Sequence, residues 1–148
     1  MTYAYNEYKI IYGHKLIKKG GLLYMKVCIS STGNTLDSSL DQRFGRASFF
    51  IISDTETMNF EAIDNGAAAA SGGAGITSAQ IVVDKEINAV ITGNVGPNAM
   101  NVLKAAEIEI FRGSPVSVKE NLEKFKKGLL EKIDTTVPQH FGMQGGQK

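Results

Sequence analysis

Asn88-Ala-Val-Ile-Thr-Gly-Asn-Val-Gly-Pro97 combines a strand, a glycine-rich turn and the first turn of a helix. Residues 88–92 are almost continuously apolar, which is typical of a strand covered on both faces of a parallel sheet. Pro97 suits the first position of a helix, where its missing N–H is not needed. The apolar spacing of Ala99, Val102, Leu103 and Ala106 extends that helix. The stretch therefore predicts a strand–helix unit of an α/β domain.

Further strands are predicted on both sides of this unit, at Lys26–Ser31, 48–53, Phe60–Asp64 and Glu109–Arg112. One more helix carries Ile76, Ala79, Val83 and Ile87 on a single face. A last helix starts at a capping box of Ser117 and Glu120 and includes Gly128. With right-handed crossovers, this order predicts a ribonuclease H-like α/β fold. Its five-stranded mixed sheet has the order 3-2-1-4-5, with strand 2 antiparallel, and is flanked by helices.

Three segments of the chain are predicted from composition and pattern. Residues 25–134 form one domain, large enough to bury a core. Residues 1–24 lack a clear period and are expected to be a poorly ordered leader, with Met25 as a possible start of the protein. The alternative is an added edge strand at residues 8–12. Residues 135–148 show no packing pattern and are predicted to be a flexible tail.

The charge and cysteine content exclude several classes of function. The 148 residues carry a formal net charge of +1, which does not favour binding to nucleic acid or to a membrane surface. No apolar run has the roughly 20 residues that span a bilayer. The single cysteine excludes an internal disulfide and indicates a reducing compartment, so a cytoplasmic location is expected.

Three turns at one edge of the predicted sheet suit an anion. Ser71-Gly-Gly-Ala-Gly75 and Gly93-Asn-Val-Gly-Pro97 each open a helix, and helix N-termini offer unpaired N–H groups. Asp41-Gln-Arg-Phe-Gly-Arg46 adds two arginines, whose donor forks favour a multi-atom anion. The predicted binding residues are Arg43, Phe44, Gly45, Arg46, Ser71, Gly72, Gly73, Gly75, Gly93, Asn94, Gly96 and Pro97. The alternative is that the glycines only make tight turns and the arginines are solvated.

The remaining reactive side chains are few. Cys28 lies within an apolar strand and is interpreted chiefly as a core residue, while His140 lies in the predicted tail. Both are retained as candidate metal ligands, although they cannot supply the four thiolates of a permanent iron–sulfur cluster. The first strand has no carboxylate for a two-metal nuclease site, and no nucleophile has a core histidine partner. We therefore expect no catalytic residues and a protein that is not an enzyme.

Three motifs in the chain resemble the dinitrogenase iron–molybdenum cofactor biosynthesis family, which includes NifX-like carriers and the C-terminal part of NifB-type proteins. They are Asp41-Gln-Arg-Phe-Gly-Arg-Ala47, Ser71-Gly-Gly-Ala-Gly75 and Val90-Ile-Thr-Gly-Asn-Val-Gly-Pro-Asn-Ala99. The resemblance covers residues 25 to about 130 and implies a small stand-alone member. Some relatives carry a histidine in the middle loop, where this chain has Ser71.

The resemblance implies a non-catalytic carrier of an anionic iron–sulfur-type metallocluster. The cargo would be the iron–molybdenum cofactor, its precursor or a related cluster, loosely bound, with cluster donor and acceptor proteins as partners. A monomer or weak homodimer is expected. Two alternatives stay open: a regulatory module that binds a nucleotide or other phosphate at the same edge, and a domain that acts only through protein contacts.

Overall fold

A computed structural model describes residues 25–134, except 58, 70 and 71, and the backbone of four short strands before residue 25. Those strands pair only with one another, Ile10–Ile11 with His14–Lys15 and Ile17–Lys19 with Leu22–Tyr24. Both pairs are antiparallel and neither joins the central sheet. The predicted boundaries of the leader and of the tail stay predictions, and residues 135–148 lie outside the described residues.

The described residues form a six-stranded mixed sheet at the centre of the domain. Its strands are β1 (Lys26–Ser31), β2 (Phe49–Asp54), β3 (Phe60–Asp64), β4 (Ala89–Thr92), β5 (Glu109–Arg112) and β6 (Glu131–Lys132). The order across the sheet is β3-β2-β1-β4-β5-β6. Strand β2 is antiparallel to both β1 and β3, whereas β4 and β5 run parallel to β1. The predicted order of five strands and the antiparallel β2 are confirmed.

The predicted strand count was wrong by one, because β6 was missed. Strand β6 has only two residues, Glu131 and Lys132, and both are exposed. So short and polar a segment has no hydrophobic period to reveal it. It pairs antiparallel with Phe111 and Arg112 of β5 and so covers one edge of the sheet.

Helices cover both faces of the sheet and divide the core into two layers. Helices α1 (Ala74–Asp84) and α2 (Pro97–Ala105) pack on one face, with Cys28, Phe50 and Val90 among the buried residues there. Helix α3 (Val118–Lys126) packs on the other face against alternate residues of the same strands. This two-sided burial follows from the period of two along each strand. A short 3₁₀ helix, Gly66–Ala69, precedes α1.

The face that α1 buries agrees only in part with the predicted one: Ala79 is buried and Val83 packs against the core. Its buried residues are small, namely Ala74, Ser78, Ala79 and Val82, whereas Ile76 is 45% exposed. Small residues are needed on this face because the backbone of Gly45 lies close to that of Gly75 at the start of α1. Gly128 also lies outside α3, which ends at Lys126. Among the described residues, no helix is long and apolar enough to cross a bilayer.

Candidate functional site

The carboxyl ends of β1 and β4 lie at the same edge of the sheet, since the two strands are parallel neighbours. Chain segments that leave such strand ends form ligand sites in open α/β sheets. Here residues 43–46, residues 94–99 and the start of α1 meet around a pocket of about 560 Å³. Three segments that are far apart in sequence therefore converge, as the turn chemistry predicts.

The pocket lining contains most of the predicted binding residues. Those that line it are Arg43, Phe44, Gly45, Arg46, Gly73, Gly75, Asn94, Gly96 and Pro97. Four further residues line the pocket without having been predicted: Ile76, Val95, Asn98 and Ala99. Three of these four lie directly beside a predicted residue in sequence, and Ala99 lies two positions after Pro97.

The other predicted residues have different positions. Gly93 is buried and Gly72 is exposed, and neither lines the pocket. Ser71 and His140 lie outside the described residues. Cys28 is fully buried in the core on the α1 and α2 side and does not line the pocket, and burial raises the pKa of its thiol. A neutral core thiol is a poor metal ligand, because the thiolate is the form that binds metal.

Backbone contacts join residues 42–44 to Asn94 in the turn between β4 and α2. The amide N–H of Asn94 donates to the carbonyl of Gln42 at 2.7 Å, and the N–H of Phe44 donates to the carbonyl of Asn94 at 3.2 Å. A Cβ on Gly93 would lie 2.6 Å from the Gln42 carbonyl oxygen, closer than real atoms approach. Glycine at position 93 therefore permits the close approach of the two loops.

A second close approach joins residues 43–46 to α1. A Cβ on Gly45 would lie 3.0 Å from the Cα of Gly75, so the two glycines allow backbone to meet backbone. The Ser78 hydroxyl lies 3.2 Å from the Gly45 carbonyl, to which it donates. The buried Asn65 amide donates to the Ala47 carbonyl at 2.9 Å, and its oxygen accepts from the Ala67 N–H at 3.2 Å. These polar contacts hold the arginine-bearing loop against the helix.

Sequence reasoning did not single out Asn65 and Ser78. Both are buried polar residues, and a buried polar group needs a hydrogen-bond partner. Ser78 interrupts the apolar face of α1, and this interruption was the available signal. Neither residue lines the pocket. Their role is to position the loop.

The two arginines of the pocket are held differently. Arg43 pairs with Asp41, its Nε and Nη2 lying 3.1 and 3.2 Å from the two carboxylate oxygens. Through these hydrogen bonds and the charge, Asp41 raises the pKa of the Arg43 guanidinium. Arg46 donates from Nη1 to the Ala68 carbonyl at 2.9 Å, which connects it to the 3₁₀ helix.

Two helices begin at the pocket, and neither has a side-chain cap. Gly73 precedes α1 with a left-handed φ of 73°, and Gly96 precedes α2 with an extended backbone. By contrast, α3 starts with the predicted capping box, in which the Ser117 hydroxyl accepts from the Glu120 N–H at 3.1 Å. N-terminal amides without side-chain caps carry partial positive charge and suit an anion.

The described lining of the pocket lacks the usual protein ligands of metals. None of its described lining residues is a cysteine, histidine, aspartate or glutamate. Within the described part of the chain, no group of three or more such residues could hold a metal ion. What the lining offers instead is guanidinium groups, side-chain amides and main-chain amides.

Comparison with known proteins identifies the family. The model of the family described as "Dinitrogenase iron-molybdenum cofactor" matches residues 25–128, and the chain belongs to that family. The matched range contains all three segments that surround the pocket. The chain is also 32% identical to an uncharacterized protein of Methanocaldococcus jannaschii over 114 residues, which are 74% of this chain and 97% of that protein.

Two solved structures are similar in both sequence and fold. One is the apo form of the orange protein from Desulfovibrio gigas, with 33% identity and a TM-score of 0.71, over 74% of this chain and 92% of that one. The other is a candidate NifB protein from Thermotoga, with 37% identity and a TM-score of 0.69, over 78% and 98% of the two chains. The family resemblance stated from the motifs is thereby confirmed.

Proposed function

We propose that this protein is a carrier that binds an anionic iron–sulfur-type metallocluster, the iron–molybdenum cofactor or a related cluster, in the pocket at the edge of the sheet. The observation that carries the proposal is the convergence of the three segments around a pocket of about 560 Å³. The family name points to the same class of ligand. In this proposal the sheet has the ribonuclease H-like arrangement, which presents its loops at that edge.

The donors in the pocket suit a ligand that already has its full set of metal–sulfur bonds. The cluster would be held by hydrogen bonds and charge, since the described lining offers no thiolate, imidazole or carboxylate. A charge-assisted hydrogen bond contributes about 1.5–3 kcal/mol, so a few of them give micromolar affinity. Such affinity allows a cargo to be passed on.

We propose carriage without catalysis. General acid–base catalysis needs a titratable group within hydrogen-bond reach of the reacting atoms. The charged residues of the described lining are Arg43 and Arg46, and an arginine guanidinium does not lose its proton near neutral pH. The partners in this proposal are a cluster donor and a cluster acceptor, and the protein acts as a monomer or weak homodimer.

The test is anaerobic incubation with isolated iron–molybdenum cofactor, followed by gel filtration and measurement of iron and molybdenum in the protein peak. The wild type is expected to retain both metals, and Arg46→Gln to retain less because one positive charge is lost. A wild-type peak without metal, or equal retention by Arg46→Gln, contradicts the proposal.

A sharper variant is Gly96→Asp, which separates stability from binding. Aspartate is a favoured N-cap, so α2 should become slightly more stable, by a few tenths of a kcal/mol. Its carboxylate would occupy the N-terminal amides and repel an anion, so metal retention should fall. Asn101→Asp is the matched control, because Asn101 is exposed on the same helix and outside the pocket lining.

A nucleotide or other phosphate is the second candidate ligand. Two uncapped helix N-termini at one pocket also suit a phosphate group. A thermal-shift panel separates the candidates. Stabilisation by a nucleotide, together with no retention of the metal cluster, would favour a regulatory phosphate-binding module over the carrier.

A further inference from the structure

Asp41 is a buried carboxylate attached to an exposed arginine at the pocket. The Asp41 side chain is 5% exposed and that of Arg43 is 65% exposed. Besides its two bonds to the guanidinium, the carboxylate accepts the Arg43 backbone N–H at 3.0 Å. Asp41 is not itself part of the pocket lining. It therefore acts on a ligand without touching it, through Arg43 and through its charge.

The backbone of Asp41 is anchored to the end of the sheet. Its N–H donates to the Ser30 carbonyl at 2.9 Å, and its own carbonyl accepts from the Ser30 hydroxyl at 2.7 Å. The Thr92 hydroxyl lies 2.7 Å from the Ser30 hydroxyl. Since the Ser30 proton goes to Asp41, Thr92 is the donor to Ser30. The ends of β1 and β4 thus hold the carboxylate in place.

The pairing leaves part of the arginine available. Asp41 engages Nε and one N–H of Nη2, and a guanidinium has five N–H groups. The Nη1 group and the second N–H of Nη2 are not used by this carboxylate. One N–H of Nη1 and the second N–H of Nη2 lie side by side, and this pair can contact two atoms of an anion.

The pairing also lowers the charge that a ligand meets. The pocket lining carries two arginines, and the attached Asp41 cancels one of their charges, so one net positive charge remains. A polyphosphate concentrates several charges on a few oxygens and gains most from a strongly positive site. A sulfide cluster spreads its charge over many atoms and gains more from directed donors and apolar contact.

We propose that Asp41 is a specificity-determining positioning residue that keeps the pocket weakly positive and orients Arg43, so that a large anion of low charge density is preferred over a polyphosphate. This inference rests on the proposed ligand class of the pocket. It assigns a physical basis for discrimination between the two candidate ligands.

The test measures the dissociation constants of phosphate and tripolyphosphate by titration calorimetry at low salt, for the wild type and for Asp41→Asn. The asparagine can still accept the Arg43 N–H but carries no charge. One unit charge about 5 Å from a ligand charge in water changes affinity about fourfold. Asp41→Asn should therefore raise the affinity ratio of tripolyphosphate over phosphate by about tenfold, since tripolyphosphate carries more charges.

Asp37→Asn is the matched control, because Asp37 is exposed in the same loop and outside the pocket lining. It makes the same change in net charge and should leave the ratio unchanged. Any of three results would overturn the inference. They are an unchanged ratio of tripolyphosphate to phosphate affinity in Asp41→Asn, an equal rise of this ratio in Asp37→Asn, and no binding of tripolyphosphate to Asp41→Asn.

Arg43→Gln tests the same inference if Asp41→Asn does not fold. It removes the exposed partner, leaves the carboxylate uncompensated, and should lower the ratio by about tenfold. An unchanged ratio there would also overturn the role of Asp41. Retention of iron and molybdenum by the wild type would still support the carrier proposal. Failure of the Asp41 inference can therefore be distinguished from failure of the carrier proposal.

Discussion

Cys28 illustrates how the neighbours of one side chain define its chemistry. Its strand, β1, lies at the centre of the sheet, where Cys28 is opposite Ile52 on one side and Val90 on the other. The thiol is fully buried on the face covered by α1 and α2. Burial disfavours the thiolate, so the pKa of Cys28 is raised.

This shift predicts a loss of stability in alkali. Above about pH 8.5 an unfolded cysteine releases its proton, whereas folded Cys28 retains it, so the free energy of unfolding falls as pH rises. The slope approaches about 1.4 kcal/mol per pH unit. Urea unfolding at a series of pH values checks this prediction.

The control for this prediction is Cys28→Ala. Its stability is lower at neutral pH because a buried sulfur is lost, but the part of the alkaline slope due to the thiol should be absent. Parallel pH curves for the two proteins would contradict the assignment of the slope to Cys28.

The left-handed residue after a helix helps to determine where the helix stops. After α3, the Gly128 N–H donates to the Phe125 carbonyl at 3.0 Å and the Leu129 N–H to the Lys124 carbonyl at 2.9 Å. These are the two bonds of a Schellman motif, and Gly128 has the left-handed φ of 73° that the motif requires. Glu107 holds the corresponding position after α2, with a φ of 62°. Glutamate is strained there, whereas glycine is not.

Opposite substitutions at these two positions should have opposite effects. Gly128→Ala should lower the free energy of unfolding by about 1 kcal/mol, because it puts a Cβ on a left-handed residue. Glu107→Gly should raise it by roughly 0.5–1 kcal/mol by relieving the same strain. Urea unfolding midpoints measure both, and a change of the same sign in the two variants would contradict this explanation.

The pocket exists because the molecule brings loops from different parts of the chain into contact. Residues 42–46 touch the start of α1 through Gly45 and Gly75, and the β4–α2 turn through Gln42 and Gly93. Each contact depends on the absence of a side chain. The shape of the site is therefore a property of the whole domain.

Two glycines of one turn should respond differently to alanine. Gly93→Ala would drive its Cβ into the Gln42 backbone and separate the loops, at a cost of about 1–3 kcal/mol. Gly96→Ala meets nothing within 4 Å and should cost less than about 1 kcal/mol. Equilibrium urea unfolding compares the two variants. Equal losses of unfolding free energy would show that the close approach at Gly93 does not determine the cost of its substitution.

The order of the first five strands, the capping box and the edge that carries the site were predictable because they depend on local patterns. Strand β6 was missed because two exposed residues carry no period. Gly128 was assigned to a helix interior because its backbone angle depends on where α3 stops. Ile76 was assigned to the core because apolar spacing does not reveal that Gly45 approaches the helix and requires small residues there.

Sequence alone determined the family, the order of the first five strands and the three segments that surround the pocket, since strand period, turn chemistry and motif depend on neighbouring residues. It could not reveal that Asp41 binds Arg43 through both carboxylate oxygens, nor that Asn65 and Ser78 hold the loop on α1. Those contacts depend on distances between atoms that only packing establishes. In our proposal, the Asp41–Arg43 pair lowers the net charge of the pocket and so affects which ligand it prefers.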